Sequence, residues 1–186
     1  MGHFHYARHF SVLGAATVAL FLLGHWDLLS ASLIASFAVN GALHASSLAL
    51  TLRSPAGNLR KIAFVAIAAA LSMFTMYVGI VGLVLFAVVP GNERLHLVLG
   101  LCSLSGAITY ASLIRIFWIR KFPPRRILAM SLFCLLATSL AFLARSYSEV
   151  LGGWWLAAAW WFAFSGGLWF FDTHPDSFRR SKYNGA

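Results

Sequence analysis

The sequence predicts an all-α, polytopic integral membrane protein with six transmembrane helices, arranged as three antiparallel hairpins with both termini in the cytoplasm. Hydrophobic residues make up 60% of the chain and charged residues only 10%, whereas soluble domains carry about 25% charged residues. The apolar residues fall into runs about as long as a bilayer is thick, and Lys and Arg are distributed unevenly between alternate loops. All 186 residues are expected to form one transmembrane domain.

A membrane-spanning helix needs about 20 apolar residues, and four runs of the sequence satisfy this directly. The first apolar stretch, residues 10–52, is twice as long as one span. The polar sequence Gly24-His25-Trp26-Asp27 lies near its middle and predicts a tight turn between two helices, because a continuous helix would bury Asp27 in the bilayer. The predicted helices cover residues 9–25, 29–52, 62–89, 95–119, 127–144 and 150–171.

Short polar segments separate the later helices. Residues 53–61 contain Pro and Gly and are typical of a loop. Residues 90–94 form a second short turn, and residues 145–149 close the last hairpin. The basic segment 120–126 contains two consecutive prolines, which prevent a continuous helix.

Lys and Arg are concentrated on one side of the predicted membrane. If the N-terminus is cytoplasmic, 12 of the 14 Lys and Arg residues lie on the cytoplasmic side, and only Arg94 and Arg145 lie on the other. This bias is the usual signature of insertion into a bacterial-type inner membrane. It accounts for the net charge of +9, so nucleic-acid binding is not expected. So small a chain in the lipid bilayer is expected to act as a homo-oligomer or as a subunit of a membrane complex.

The second predicted helix carries small polar residues at regular intervals. Ser32, Ser36, Asn40 and His44 recur every four residues, and Ser47 follows. At 3.6 residues per turn these side chains share one face of the helix. Polar groups are costly in lipid, so this face is expected to contact other helices or to line a pathway. Helix–helix packing is the simpler interpretation, but an ionisable residue such as His44 inside a span also suggests function.

A second group of polar residues is expected at the outer surface. His25 and Asp27 lie in the first outer turn, and Glu93 and His96 begin the fourth helix on one helical face. If the first two hairpins are neighbours, two imidazoles and two carboxylates converge there. Such a set is typical of Zn²⁺ or another transition metal, and it could also act as a pH-responsive gate. The alternative is that the four are ordinary turn and cap residues.

Histidines also occur near both termini, which the predicted topology places on the same face of the membrane. These residues could meet and bind a metal. The group consists of His3, His5, His9, Asp172, His174 and Asp176. A haem would need two axial histidines at one depth. His25 and His96 meet that condition at the rim, whereas His44 is expected to have no partner unless a second copy of the chain supplies it.

The leading functional hypothesis is a non-enzymatic membrane protein that transports a small solute, an ion or a proton. The polar face of the second helix would line the pathway, with Asn40 and His44 as its central contacts. Phosphate-binding, zinc-protease and nucleophile-elbow motifs do not occur in the sequence. One alternative is a redox or metal protein with haem or a transition metal on His25 and His96. The other is an accessory, assembly or sensor subunit in which the polar face is purely structural.

Overall fold

The protein is all-helical in the part of the chain that the structure describes. The computed structural model describes residues 3–25, 33–53, 57–119, 122–146 and 153–174. Within these ranges there are six helices and no strand, apart from one isolated bridge between Phe4 and Leu52. The helices are α1 (Tyr6–His25), α2 (Leu33–Leu50), α3 (Asn58–Leu85), α4 (Gly91–Phe117), α5 (Pro124–Ser146) and α6 (Gly153–Thr173). The all-α prediction is therefore confirmed, and each predicted helix has a counterpart.

The helix ends differ from the predicted apolar runs by a few residues, for local reasons. α3 begins at Asn58 because polar residues extend the helix beyond its apolar run. α4 begins at Gly91, whose φ of 56° favours glycine at the turn from α3. α5 begins at Pro124. Proline suits the first turn of a helix, because a backbone N–H at that position would have no partner within the helix.

Each helix packs chiefly against its neighbours in the sequence, and α1 also packs against α6. The pairs run antiparallel. The start of α1 lies beside the end of α2, as shown by the bridge between Phe4 and Leu52. Phe64, near the start of α3, contacts Phe117 at the end of α4, with ring centroids 5.6 Å apart. The helices thus form a closed series in which one end holds the starts of α1, α3 and α5.

The same end of the bundle also holds the ends of α2, α4 and α6, and we call it the basic end. Arg126 of α5 donates to the Phe171 carbonyl of α6 there, at 3.1 Å. Arg60 of α3 donates to the Phe117 carbonyl and lies 5.1 Å from the centre of the Trp118 ring. The described cations at this end are Arg8, Arg53, Arg60, Lys61, Arg115, Arg125 and Arg126. Among the described residues only Arg94 and Arg145 lie at the opposite end.

Apolar side chains cover much of the outer surface of the bundle. On α3, for example, Phe74, Tyr77 and Val84 are each more than half exposed. Within the described residues, three helices are long and apolar enough to cross a membrane, namely α3, α4 and residues Pro124–Arg145 of α5. α1 contains a shorter apolar segment, Tyr6–Leu22. The exposed apolar surface is what a protein surrounded by lipid requires.

Candidate functional site

Most polar groups of the predicted α2 face bond to the backbone of their own helix. Ser47 Oγ donates to the His44 carbonyl at 2.7 Å, and Thr51 Oγ1 donates to the Ser47 carbonyl at 2.7 Å. Asn40 Nδ2 donates to the Ser36 carbonyl at 2.9 Å. Such bonds satisfy a polar side chain without any partner on another helix. Ser32 lies outside the described residues.

His44 is the exception on this face, because its ring points into the bundle and meets a second histidine. His44 and His9 are both completely buried, with ring centroids 6.5 Å apart. His9 Nε2 lies 2.8 Å from Ser165 Oγ, and His44 Nε2 lies 3.3 Å from the same atom. The expectation that His44 lacks a partner within one chain is therefore wrong. α1 and α6 are neighbours, so His9 and Ser165 reach His44 of α2.

Aromatic rings enclose His44. Trp161 stacks on it, with an interplanar angle of 7° and centroids 6.0 Å apart. Tyr110 of α4 and Trp160 and Phe164 of α6 lie at centroid distances of 5.2, 5.5 and 5.6 Å. The imidazole therefore sits in a box of four rings, and within the described chain its hydrogen bond is to Ser165.

The bonding capacity of Ser165 allows the two histidines to have different tautomers. In that arrangement the hydroxyl donates its one proton to one Nε2, while the other Nε2 carries its own proton and donates to Oγ. Each ring then has its Nδ1 on the far side from Ser165. Both Nδ1 atoms are buried and make no hydrogen bond in the described structure, although the Ser47 backbone interacts with the His9 ring. We call His9, Ser165 and His44 the histidine centre.

A second group of polar contacts lies between the histidine centre and the basic end. One helical turn nearer that end, the Tyr6 hydroxyl lies 2.7 Å from Asp172 Oδ2 and 3.3 Å from the Leu168 carbonyl. Asp172 also accepts from the backbone N–H of His3, and its Oδ1 lies 2.5 Å from His3 Nδ1. Its side chain is only 2% exposed, whereas that of His3 is 50% exposed. The two terminal segments thus meet, as the topology predicted.

Polar groups also continue away from the histidine centre on its other side. The Tyr110 hydroxyl donates to the Gly41 carbonyl at 2.7 Å, and the Ser72 side chain interacts with the same hydroxyl. Asn40, next to Gly41 in α2, has a buried Oδ1 that accepts no hydrogen bond within the described chain. The rings of His44 and Tyr110 are in contact, and Asn40 precedes His44 by about one turn of α2. We call these three residues, together with the contacts of Tyr6 and Asp172, the polar seam.

The outer group of acids and histidines is not assembled by the residues that can be described. Glu93 is exposed, and His96 is half-buried against Phe142 of α5, with ring centroids 5.3 Å apart. Asp27 and the side chain of His25 lie outside the described residues. The principal contacts of α1 are with α2 and α6, and those of α4 are with α3 and α5. In the described part of the chain, no three His, Cys, Asp or Glu residues are grouped as metal ligands.

The sequence singles out His9 only as one of the terminal histidines, and it does not single out Ser165. The predicted first helix begins at His9, whereas α1 begins one turn earlier, at Tyr6. Ser165 is the only Ser in α6, and a lone hydroxyl in an apolar helix is a weak signal. The spacing of the polar residues is a stronger signal. Tyr6 and His9 share a face of α1, and Ser165 and Asp172 are two turns apart on α6.

Comparison of the chain with protein-family models, with curated proteins and with solved structures finds no match.

Proposed function

We propose that this protein is an integral protein of a bacterial-type inner membrane that crosses the bilayer six times, with both termini in the cytoplasm. The distribution of charge supports this orientation, because the basic end carries all the described cations except Arg94 and Arg145. The lengths of the helices support six crossings. The two shortest, α2 with 18 residues and α1 with 20, measure about 27 and 30 Å at a rise of about 1.5 Å per residue.

Within that membrane protein, we propose that the polar seam transfers protons and that the histidine centre is its central relay. The observation that carries this proposal is the pair of Nε2 atoms at 2.8 and 3.3 Å from one hydroxyl. Hydrogen-bonded chains of His, Ser and carboxylate are the usual components of proton pathways in membranes. Four aromatic rings pack around His44, which favours a proton over a larger solute as the transported species.

The relay conserves protons and leaves Ser165 unchanged. A proton arriving at His9 Nδ1 allows His9 Nε2 to release its own proton to Ser165 Oγ. The hydroxyl passes its original proton to His44 Nε2, and His44 releases the proton on its Nδ1 towards the part of the seam that holds Tyr110 and Asn40. One proton enters and one leaves. Both rings exchange tautomers, so a second turnover requires each ring to lose the proton that it has gained and to be reprotonated at its other nitrogen.

Proton flux into liposomes tests this proposal. Purified protein is reconstituted with a pH-sensitive dye inside the vesicles, and a potassium diffusion potential drives the flux. We expect flux above that of protein-free vesicles. Ser165→Ala removes the hydroxyl that bridges the two rings, so we expect the flux to fall by at least about tenfold, which corresponds to a barrier raised by about 1.4 kcal/mol. His96→Gln, a histidine outside the centre, serves as the matched control and should retain the flux. Equal flux through all three proteins would contradict the relay.

A second candidate function is that of an accessory or assembly subunit whose polar face serves helix packing. The observation in its favour is that Ser47, Thr51 and Asn40 Nδ2 bond within α2. That candidate predicts no flux from the reconstituted chain. It also predicts that Ser165→Ala lowers the free energy of unfolding without any other effect.

A further inference from the structure

The geometry points to a binding site for copper(I) between His9 and His44, with the Nε2 atoms of the two rings as its ligands. This inference goes beyond the proposed proton pathway and does not depend on it. Imidazoles from two different helices are directed at one point, which Ser165 Oγ occupies at 2.8 and 3.3 Å. A bond from imidazole nitrogen to a transition metal is about 2.0 Å long. Rotation of the Ser165 side chain and an advance of each ring by about 1 Å would place both nitrogens around an ion.

The charge of the surroundings selects a monovalent ion. In the described residues no Asp, Glu or Cys joins the two histidines to make a group of three ligands. Two neutral imidazoles leave the whole charge of the ion uncompensated in a fully buried site, and this cost rises steeply with charge. Zn²⁺ also requires four ligands in a structural site. Copper(I) carries a single charge and accepts two-coordinate binding. Imidazole is among the ligands that suit copper, although thiolates and thioethers select copper(I) more strongly.

The neighbouring rings favour the same choice. Trp161 stacks on His44, and Tyr110 and Trp160 lie with their centroids 5.2 and 5.5 Å from that of His44. Aromatic faces attract a nearby cation, and the attraction is larger where water is excluded. They therefore offset part of the cost of burying one positive charge, without supplying the anionic ligands that a divalent ion needs.

The polar seam provides a route for the ion from the basic end. His3 is half exposed and touches the carboxylate of Asp172, which is almost fully buried. Tyr6 lies between that carboxylate and the next turn, where His9 stands. Tyr6 would lie between a cation captured at His3 and Asp172 and the histidine centre, and its ring centroid is 6.4 Å from that of His9. This site differs from the outer group predicted from the sequence, which involves His25 and His96.

Anaerobic titration of the purified, detergent-solubilised protein tests the site. Copper(I) is supplied under ascorbate in competition with a chromophoric chelator, and Zn²⁺ is titrated separately. We expect one copper(I) per chain, a fall in affinity of more than about 100-fold in His44→Gln and in His9→Gln, and no change in the control His96→Gln. Ser165→Ala should still bind copper(I), because the hydroxyl is displaced and is not a ligand.

Several results would overturn the inference. They are the absence of copper(I) binding, unchanged binding in His44→Gln, loss of binding in Ser165→Ala, or tighter binding of Zn²⁺ at the same histidines. X-ray absorption of the wild-type protein keeps the test decisive if the histidine variants do not fold. It should show two nitrogen neighbours, and sulfur neighbours would instead assign the metal to Cys102 or Cys134. Since Ser165→Ala is expected to lose proton flux and to retain copper(I), the failure of one proposal is distinguishable from the failure of the other.

Discussion

Replacement of Gly41 by alanine should destabilise the contact between α2 and α3. A Cβ at position 41 would overlap Ser72 Oγ and would lie 2.7 Å from Ser72 Cβ and 2.9 Å from the Ala68 carbonyl oxygen. The hydroxyl can rotate away, but the other two atoms cannot move without moving α3. Since ordinary contact begins at 3.4 Å, the two helices must separate by about 0.5–0.7 Å, which a close-packed interior resists.

The expected cost of Gly41→Ala follows from two opposing contributions. Overpacking of this kind costs about 1–3 kcal/mol, and the better helix propensity of alanine returns at most about 1 kcal/mol. Gly14→Ala is the matched control, because nothing lies within 4 Å of a Cβ at that position of α1. We therefore expect Gly41→Ala to lower the free energy of unfolding by about 1–2 kcal/mol, while Gly14→Ala leaves it unchanged or raises it slightly.

Unfolding in mixed micelles, followed by circular dichroism as the fraction of denaturing detergent is raised, measures both variants. Combination of Gly41→Ala with Ser72→Gly removes the two shortest contacts and should restore part of the lost stability, since only the Ala68 contact remains. Equal stability of Gly41→Ala and Gly14→Ala would refute the close approach of α2 and α3. It would also remove support for the hydrogen bond from Tyr110 to the Gly41 carbonyl.

Two further predictions concern topology and an interhelical hydrogen bond. The topology can be tested with a membrane-impermeant maleimide in a background without the native cysteines. Gly57→Cys should react only from the cytoplasmic side, and Asn92→Cys should react only from the outer side. The reverse pattern would contradict the orientation. Thr138→Val removes the bond of 3.0 Å to Ser103 between α5 and α4 and should lower the free energy of unfolding by about 1 kcal/mol. In the control Thr17→Val, whose hydroxyl bonds only to its own helix in the described structure, the loss should be smaller; equal losses would show that the bond between helices adds no stability.

The helices could be predicted from the sequence because lipid imposes a simple rule. Long apolar runs with polar interruptions give helices of nearly fixed length, and each predicted helix is observed. The errors lie at the ends, where that rule does not apply. α3 includes polar residues from Asn58, and it ends at Leu85 although the apolar residues continue to Val89.

The candidate site could be predicted only in part, because it depends on which helices are neighbours. His44 was identified from the polar face of α2, a pattern contained within one helix. Its contact with His9 depends on the packing of α1 against α2, and that with Ser165 depends on the closure of the series by α1 and α6. Hydrophobic periodicity reports which face of a helix is polar, but it does not report the partner of that face.

Satisfied and unsatisfied polar atoms are distributed differently along the α2 face and in the histidine centre. Ser47 and Thr51 of α2 bond to their own helix, so a helix-packing role is sufficient to explain them. His9 and His44 each leave a buried Nδ1 without a hydrogen bond in the described structure, and such an atom costs about 1–3 kcal/mol. Their Nε2 atoms, in contrast, both contact Ser165. A proton relay would use both nitrogens of each ring, whereas copper(I) would use only the two Nε2 atoms, so the unsatisfied Nδ1 atoms accord with the relay alone.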